Sequence, residues 1–291
     1  MRIPRASIAL VILVLLVAFS RVQAISAASA QVETPGARTL VGAIFGVTNR
    51  ADEPDEEERL DPDRPHFPEA STTVGKGRMM LESGYTFSYK GTSTRSHSVP
   101  EAVLRIGLFA DWFELRVGDN FVREAQPVGR GRSSGRGVDD VYLGVKLAVS
   151  EQWLYVPRIA VIPQMTVPID TRTGTAGPVL PGLNVDCSWD VVKGLFNIEL
   201  LIATNRVRDD AQRSHLEVAT GLTAAVNIRR DLEMFIEWNA FYSPAGAPRD
   251  YAVGGLVYFI GKNAAIDARV GVGLNRQASD FLAGTGFAVR Y

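Results

Sequence analysis

From Gly75 to Tyr291 the chain alternates with a period of two, and it keeps most of its charged groups on one parity. Arg105 lies between Leu104 and Ile106, Glu114 and Arg116 flank Leu115, and Lys146 lies between Val145 and Leu147. Successive strand side chains point to opposite faces, so each such stretch is a strand with one greasy and one polar face. About twelve of them follow one another, each roughly ten residues long, which is what a tilted strand needs to cross a bilayer. The last, Phe281 to Tyr291, sets Phe281, Ala283, Thr285, Phe287, Val289 and Tyr291 against Leu282, Gly284, Gly286, Ala288 and Arg290. In Tyr251 to Phe259 the alternation predicts one greasy face of Tyr251, Val253, Val257 and Phe259.

The connections alternate as well. Short turns are expected at Ala110-Asp111, Ser150 to Leu154, Val192 to Gly194, Arg229-Arg230 and Gly261 to Asn263. Longer loops are expected at Lys90 to His97, Glu124 to Arg136, Asp170 to Gly182, Val207 to Arg213, Ser243 to Arg249 and Arg276 to Asp280. Long loops on one side and short turns on the other are the habit of outer-membrane barrels. The fold expected is therefore all-β, a transmembrane antiparallel β-barrel of about twelve strands, of outer-membrane type. Alternation alone does not choose the outer face, because a soluble barrel reverses it. The loop asymmetry, the closing aromatic and the N-terminus choose lipid outside; a soluble periplasmic β protein is the alternative.

The N-terminus carries Arg2 and Arg5, then an apolar run from Ile8 to Phe19, then small residues around Ala24 and Ala30. That is the order of a secretory signal, with cleavage expected after Ala24 or Ala30. Residues 1–30 read as the signal, 31–75 as a disordered acidic periplasmic segment, and 76–291 as the barrel; for a barrel that does not conduct, a plug formed by the segment before Gly75 is the alternative. Ala51 to Pro65 is a run of acids broken by prolines, too polar to bury a core. Thr39 to Val47 is the one apolar patch there, readable as a short helix, a lumenal plug or a docking peptide. Losing Arg2, Arg5 and Arg21 takes the formal charge from −1 to −4, so no basic excess points to nucleic acid. Cys187 is the single cysteine and makes no internal disulfide.

With lipid outside, the charged parity lines the lumen. Arg105, Glu114, Arg116, Lys146, Arg158, Glu199, Glu217, Glu233, Glu237, Asp267, Arg269 and Arg290 are the candidates for setting selectivity. Phe287 and Tyr291 are the candidates for an assembly signal read by the barrel-assembly machinery. Trp112, Trp153, Trp189, Trp238, Tyr89, Tyr242 and Tyr251 stand at or near strand ends, where an aromatic girdle belongs. Catalytic and metal chemistry is not indicated. His66, His97 and His215 lack ligand spacing, and no cofactor is expected. Ser214 and His215 are adjacent on a strand and so face opposite ways, a poor dyad. Gly129 to Gly137, GRGRSSGRG, reads as a solvated loop or as an anion site for lipopolysaccharide phosphates.

The C-terminal part resembles a known family. Gly254-Gly255-Leu256 with Tyr258, Asp267, Arg269 to Asn275, Gly284, Gly286-Phe287 and Arg290-Tyr291 are similar to the outer-membrane barrels labelled as phenol-degradation meta-pathway transporters. The similarity runs over roughly Gly75 to Tyr291. It implies an outer-membrane channel for small aromatic or other hydrophobic compounds and no catalytic residues. The function expected is passive passage of small organic solutes. The partners expected are outer-membrane lipid and lipopolysaccharide, the assembly machinery and the solute. A sealed structural or surface-binding barrel is the alternative, and an outer-membrane hydrolase the third.

Overall fold

The computed structural model describes residues 37–45, 59–91, 94–119, 122–128, 131–136, 141–167, 178–208, 213–244 and 246–291. The expected signal peptide, with its cleavage sites, and residues 51–58 of the acidic run lie outside these. Twelve antiparallel barrel strands follow. They are β1 (Met79–Lys90), β2 (Thr94–Ser98 and Ala102–Gly107), β3 (Phe113–Asp119 and Val122–Val128), β4 (Gly131–Arg136 and Val141–Ser150), β5 (Arg158–Val167) and β6 (Leu180–Val192). The second half comprises β7 (Phe196–Arg208), β8 (Ser214–Arg229), β9 (Leu232–Tyr242), β10 (Arg249–Ile260), β11 (Ala264–Gly273) and β12 (Phe281–Arg290). Each strand pairs with its sequence neighbours, and β1 pairs with β12 from Met80↔Arg290 to Tyr89↔Phe281. That last pairing closes the wall and removes both sheet edges.

The faces are those of a membrane barrel. Ile236, Val270 and Ile266 are half or more exposed on the outside, whereas Arg105, Glu114 and Lys146 are completely buried inside. In β10 the expected face is reversed. Val253, Val257 and Phe259 are buried inward, and Leu256, Tyr258 and Ile260 face out. Both parities of that strand are apolar, so its pattern carries no direction; its pairing with β9, which sets Glu233 beside Val257 and Met234 beside Leu256, decides it.

One end of the barrel has the short turns, at 108–112, 193–195, 230–231 and 261–263. This is the periplasmic end of an outer-membrane barrel. At the other end the expected loop over Glu124 to Arg136 is largely paired backbone, since Val122–Val128 and Gly131–Arg136 form a hairpin that extends the wall. The Arg- and Gly-rich stretch is thus mostly strand. Helix α1 (Leu40–Phe45) realises the first of the three readings of its patch. Thr39 Oγ1 accepts from Gly42 N at 3.1 Å, which caps its first turn, and the helix packs against Val141–Ser150 of β4.

The largest departure from expectation concerns residues 59–74. They were expected in a disordered periplasmic segment; they lie inside the barrel as a plug. No residue of this segment belongs to a strand. Arg59 donates to the Arg230 carbonyl and Leu60 N to the Lys262 carbonyl, so the segment enters at the short-turn end. It climbs to Phe67, whose ring lies 4.9 Å from that of Phe241 near the far end of β9. It then returns to the short-turn rim, where Val74 N meets Glu114 and Lys76 N meets Asp111.

Candidate functional site: the plugged lumen

An irregular chain inside a barrel has backbone groups that no ladder satisfies. Here the wall carboxylates accept the plug's N–H groups. Glu82 takes Asp63 N at 3.1 Å and Arg64 N at 2.9 Å, Glu237 takes Phe67 N at 2.7 Å, Asp186 takes Glu69 N at 3.0 Å, and Glu114 takes Val74 N at 2.8 Å. Pro62, Pro65 and Pro68 bring no N–H that would need one. The wall cations serve the plug's carbonyls. Arg105 donates to Asp61 O and Thr72 O, Lys146 to Ala70 O, and Arg269 to Pro65 O. Polar strand positions that would be costly in a dry core are thus satisfied by the segment they enclose.

Ion pairs bind the plug from two sides. Arg105, Arg116 and Lys146, on β2, β3 and β4, converge on Asp63 at 3.2, 2.7 and 2.7 Å. Arg116 also reaches Glu69 at 3.0 Å. Across the lumen, His66 lies 2.9 Å from Glu199 of β7 and 3.6 Å from Glu233 of β9, and Arg64 lies 3.6 Å from Asp267 of β11; Arg64 also reaches Glu101, at the break in β2, at 2.7 Å. The plug therefore presents acids to the basic wall and bases to the acidic wall. Its own groups titrate accordingly, and they belong to none of the spanning strands. Burial opposes the charge on Asp63, but Arg105, Arg116 and Lys146 outweigh it and hold the carboxyl well below its usual range. Burial likewise opposes protonation of His66, yet Glu199, Glu233 and Glu237 raise it to about 9.

The wall is shaped to the plug as well as charged for it. Gly84 and Gly286 face each other across the β1–β12 seam, and a Cβ on either would collide with the Arg64 guanidinium. Gly221 makes the corresponding room for Phe67, whose Cδ1 would stand 2.8 Å from a Cβ there. Phe67 packs on the buried Leu201, Ala203 and Ala219, and Leu60 on Met80, Val257 and Phe259. Glu101 holds the left-handed φ of 42°, a costly backbone for glutamate, at the break in β2 where its carboxylate meets Arg64. On the far side of the plug a cavity of about 590 Å³ remains, with Arg64, Glu69, Arg116, Tyr142, Asn205 and Arg269 among its walls.

Nine of the twelve lumenal charges read from the sequence hold the plug or one another around it: Arg105, Glu114, Arg116, Lys146, Glu199, Glu233, Glu237, Asp267 and Arg269. Three do not. Arg158 pairs with Glu151 and Asp190 near the short-turn rim, Arg290 bonds Asn263 and Lys262 O at the same rim, and Glu217 pairs with Arg249 at the opposite end. Phe287 and Tyr291 are outward-facing and terminal, exposed at the lipid side and the rim. Sequence reasoning missed Glu82 and Asp186 as plug acceptors and Asp63, Arg64, His66 and Glu69 as their counterparts. The signal available was the charge sum of the inward parity, in which Glu199, Glu217, Glu233, Glu237 and Asp267 on β7 to β11 outnumber Arg269. The histidine–serine pairs do not assemble. His97 Nδ1 bonds Tyr85 OH at 2.7 Å on β2, and Ser214 and His215 lie on β8, across the barrel.

No curated protein matches the chain in sequence. Two of the solved structures that share its fold illustrate the likeness. An outer membrane channel from Pseudomonas putida F1, of the COG4313 group, is 12% identical with a TM-score of 0.54, covering 82% of this chain and 99% of its own. The NanC porin is 12% identical with a TM-score of 0.50, covering 72% and 98%. The family model described as "Putative MetA-pathway of phenol degradation" matches residues 62–291, the plug from Pro62 onward as well as the whole barrel, and the chain belongs to that family.

Proposed function

We propose that the protein is an outer-membrane channel for passive passage of small organic solutes, held closed in this state by residues 59–74. The observation that carries this reading is the plug's attachment. Its strong contacts are side-chain contacts to the wall, and both its ends lie at the short-turn rim. A segment so held can swing out without threading the barrel. The lumenal charges would then set selectivity, and the family's link to phenol degradation supports aromatic compounds as cargo. The outer membrane is the site of action, reached by way of the N-terminal signal, with lipopolysaccharide, membrane lipid and the assembly machinery as partners.

A sealed structural barrel is the second reading, favoured by the complete burial of Arg105, Glu114 and Lys146 around the plug. Planar-bilayer recording of the detergent-folded full chain separates the two. Gly84→Leu fills the Arg64 slot, and it should give discrete current steps that are rarer in the wild type. A folded, heat-modifiable barrel that stays silent in both forms would discard the channel reading.

A further inference from the structure

Three cations of the wall meet on one carboxylate of the plug. Lys146 Nζ and Arg116 Nη1 stand 2.7 Å from Asp63 oxygens, and Arg105 Nη1 stands 3.2 Å away. Arg105 and Arg116 also have wall partners. Arg105 pairs with Glu82 and Glu114, and Arg116 lies 3.6 Å from Glu114. Lys146 differs. Its hydrogen bonds run to Asp63 Oδ1 and to Ala70 O, both on the plug, and its side chain is fully buried. Withdrawing the plug strips that ammonium of its nearest anion. Glu69 leaves with the plug, and the acids that stay on the wall are Glu114, the cross-strand partner of Lys146 that Arg105 already engages, and Asp186 of β6.

We infer that this tripod is a solute site, and that Asp63 occupies it in place of the carboxylate of a small organic acid. The inference rests on the channel reading and names the cargo class of that same lumen. The cavity of about 590 Å³ opens directly onto the site, since Asp63 and Arg116 are among its lining residues. Its volume suits a small molecule. The remainder of such an acid finds Val103 along the same cavity, and Leu201 and Ala203 where Phe67 has left with the plug. A solute entering from the long-loop side therefore meets the Asp63–Arg116 contact with its own carboxylate. Replacing one carboxylate by another leaves the charge of the site unchanged, so the exchange avoids the cost of baring Lys146. A ligand that binds only where Asp63 has left must shift the plug toward its displaced position.

The test uses the folded full chain with Ser71→Cys as a reporter on the plug and Cys187→Ser to silence the native thiol. Ser71 is 2% exposed, so its replacement is labelled by a maleimide when the plug leaves. Benzoate and propionate should each speed labelling about tenfold or more, while benzamide and propionamide at matched ionic strength should not. Lys146→Gln should abolish the difference between acid and amide. Equal effects of acids and amides on the otherwise wild-type chain would overturn the inference. Current steps from Gly84→Leu without any such discrimination would leave the channel standing and remove only the carboxylate site.

Discussion

Asp63→Asn isolates the electrostatic hold on the plug. The substitution keeps size and an acceptor oxygen but removes the charge on which three cations converge. Arg105 retains Glu82 and Glu114, and Arg116 retains Glu69 and Glu114, so the loss falls mainly on Lys146. Lys146 is fully buried and would keep Ala70 O alone beside a neutral amide. Removing one partner of a buried pair costs about 3–5 kcal/mol. With the plug displaced, water reaches the ammonium, so the cost burdens the seated state alone. About 3 kcal/mol corresponds to a shift on the order of a hundredfold in the seated-to-displaced ratio. The assay is maleimide labelling of the Ser71→Cys reporter in the Cys187→Ser background, on barrels verified as folded by heat modifiability. When reseating outpaces labelling, the rate follows the displaced population. Labelling should therefore be about a hundredfold faster in Asp63→Asn. A change below about threefold would refute the view that the tripod holds the plug.

Phe67→Ala tests the apolar anchor: a large-to-small change in a dry core costs about 3–5 kcal/mol, and refilling by water lowers it here, so reporter labelling should quicken while the denaturation midpoint of the barrel stays put. The plug should also loosen at both extremes of pH. His66 is raised from 6.5 to about 9, so its contribution is whole below about pH 6.5 and lost as pH rises through 9. Asp63 is lowered from 3.8, so its contribution is present above that value and lost as pH falls below it. Labelling divided at each pH by that of the same thiol in the unfolded chain, which removes the thiolate dependence, should be slowest between roughly pH 4 and 6.5 and quicken on either side; a flat normalised profile from pH 3 to 10 would count against both pairs. Ile236→Arg, on the outward face, should destabilise the membrane-inserted barrel by about 2–4 kcal/mol in chemical unfolding from liposomes, with no effect on labelling.

The wall was legible because its two faces differ in cost. A charge on the lipid side of β2 or β3 is so unfavourable that Arg105, Glu114 and Arg116 had to share the inward parity, and they do. β10 was illegible for the opposite reason: Val253 and Leu256 are equally tolerable on either face, so only pairing with β9 fixed them. The plug was hidden by composition. Residues 59–74 contain too few apolar side chains to form a core of their own, which is the property of a disordered segment. They are ordered because the acceptors and donors they lack lie on distant strands, 204 residues away in the pair of Arg269 and Pro65 O. No local pattern encodes that. The family match beginning at residue 62, where the resemblance read from motifs began at Gly75, places the plug with the barrel it fills.

The energetics of wall and plug are separable. The barrel closes by ten residue pairs between β1 and β12, and every other seam is likewise strand to strand. Residues 59–74 contribute to none of these ladders. Within the wall, Arg105 stays bridged to Glu82 and Glu114 whether the plug is seated or not. A lumen without its plug would therefore keep its closed sheet and part of its charge compensation, and would bare chiefly Lys146 on one side and Glu199 with Glu233 on the other. Those groups face each other across the lumen. Opposed charges of this kind create a transverse field in a water-filled passage, which orients any solute that carries a dipole or a single charge. The plug answers that field with Asp63 turned to the basic wall and His66 to the acidic one. The polarity that seats the plug is thus the polarity a passing solute would meet, and a change in the wall that weakens the first must also change the second.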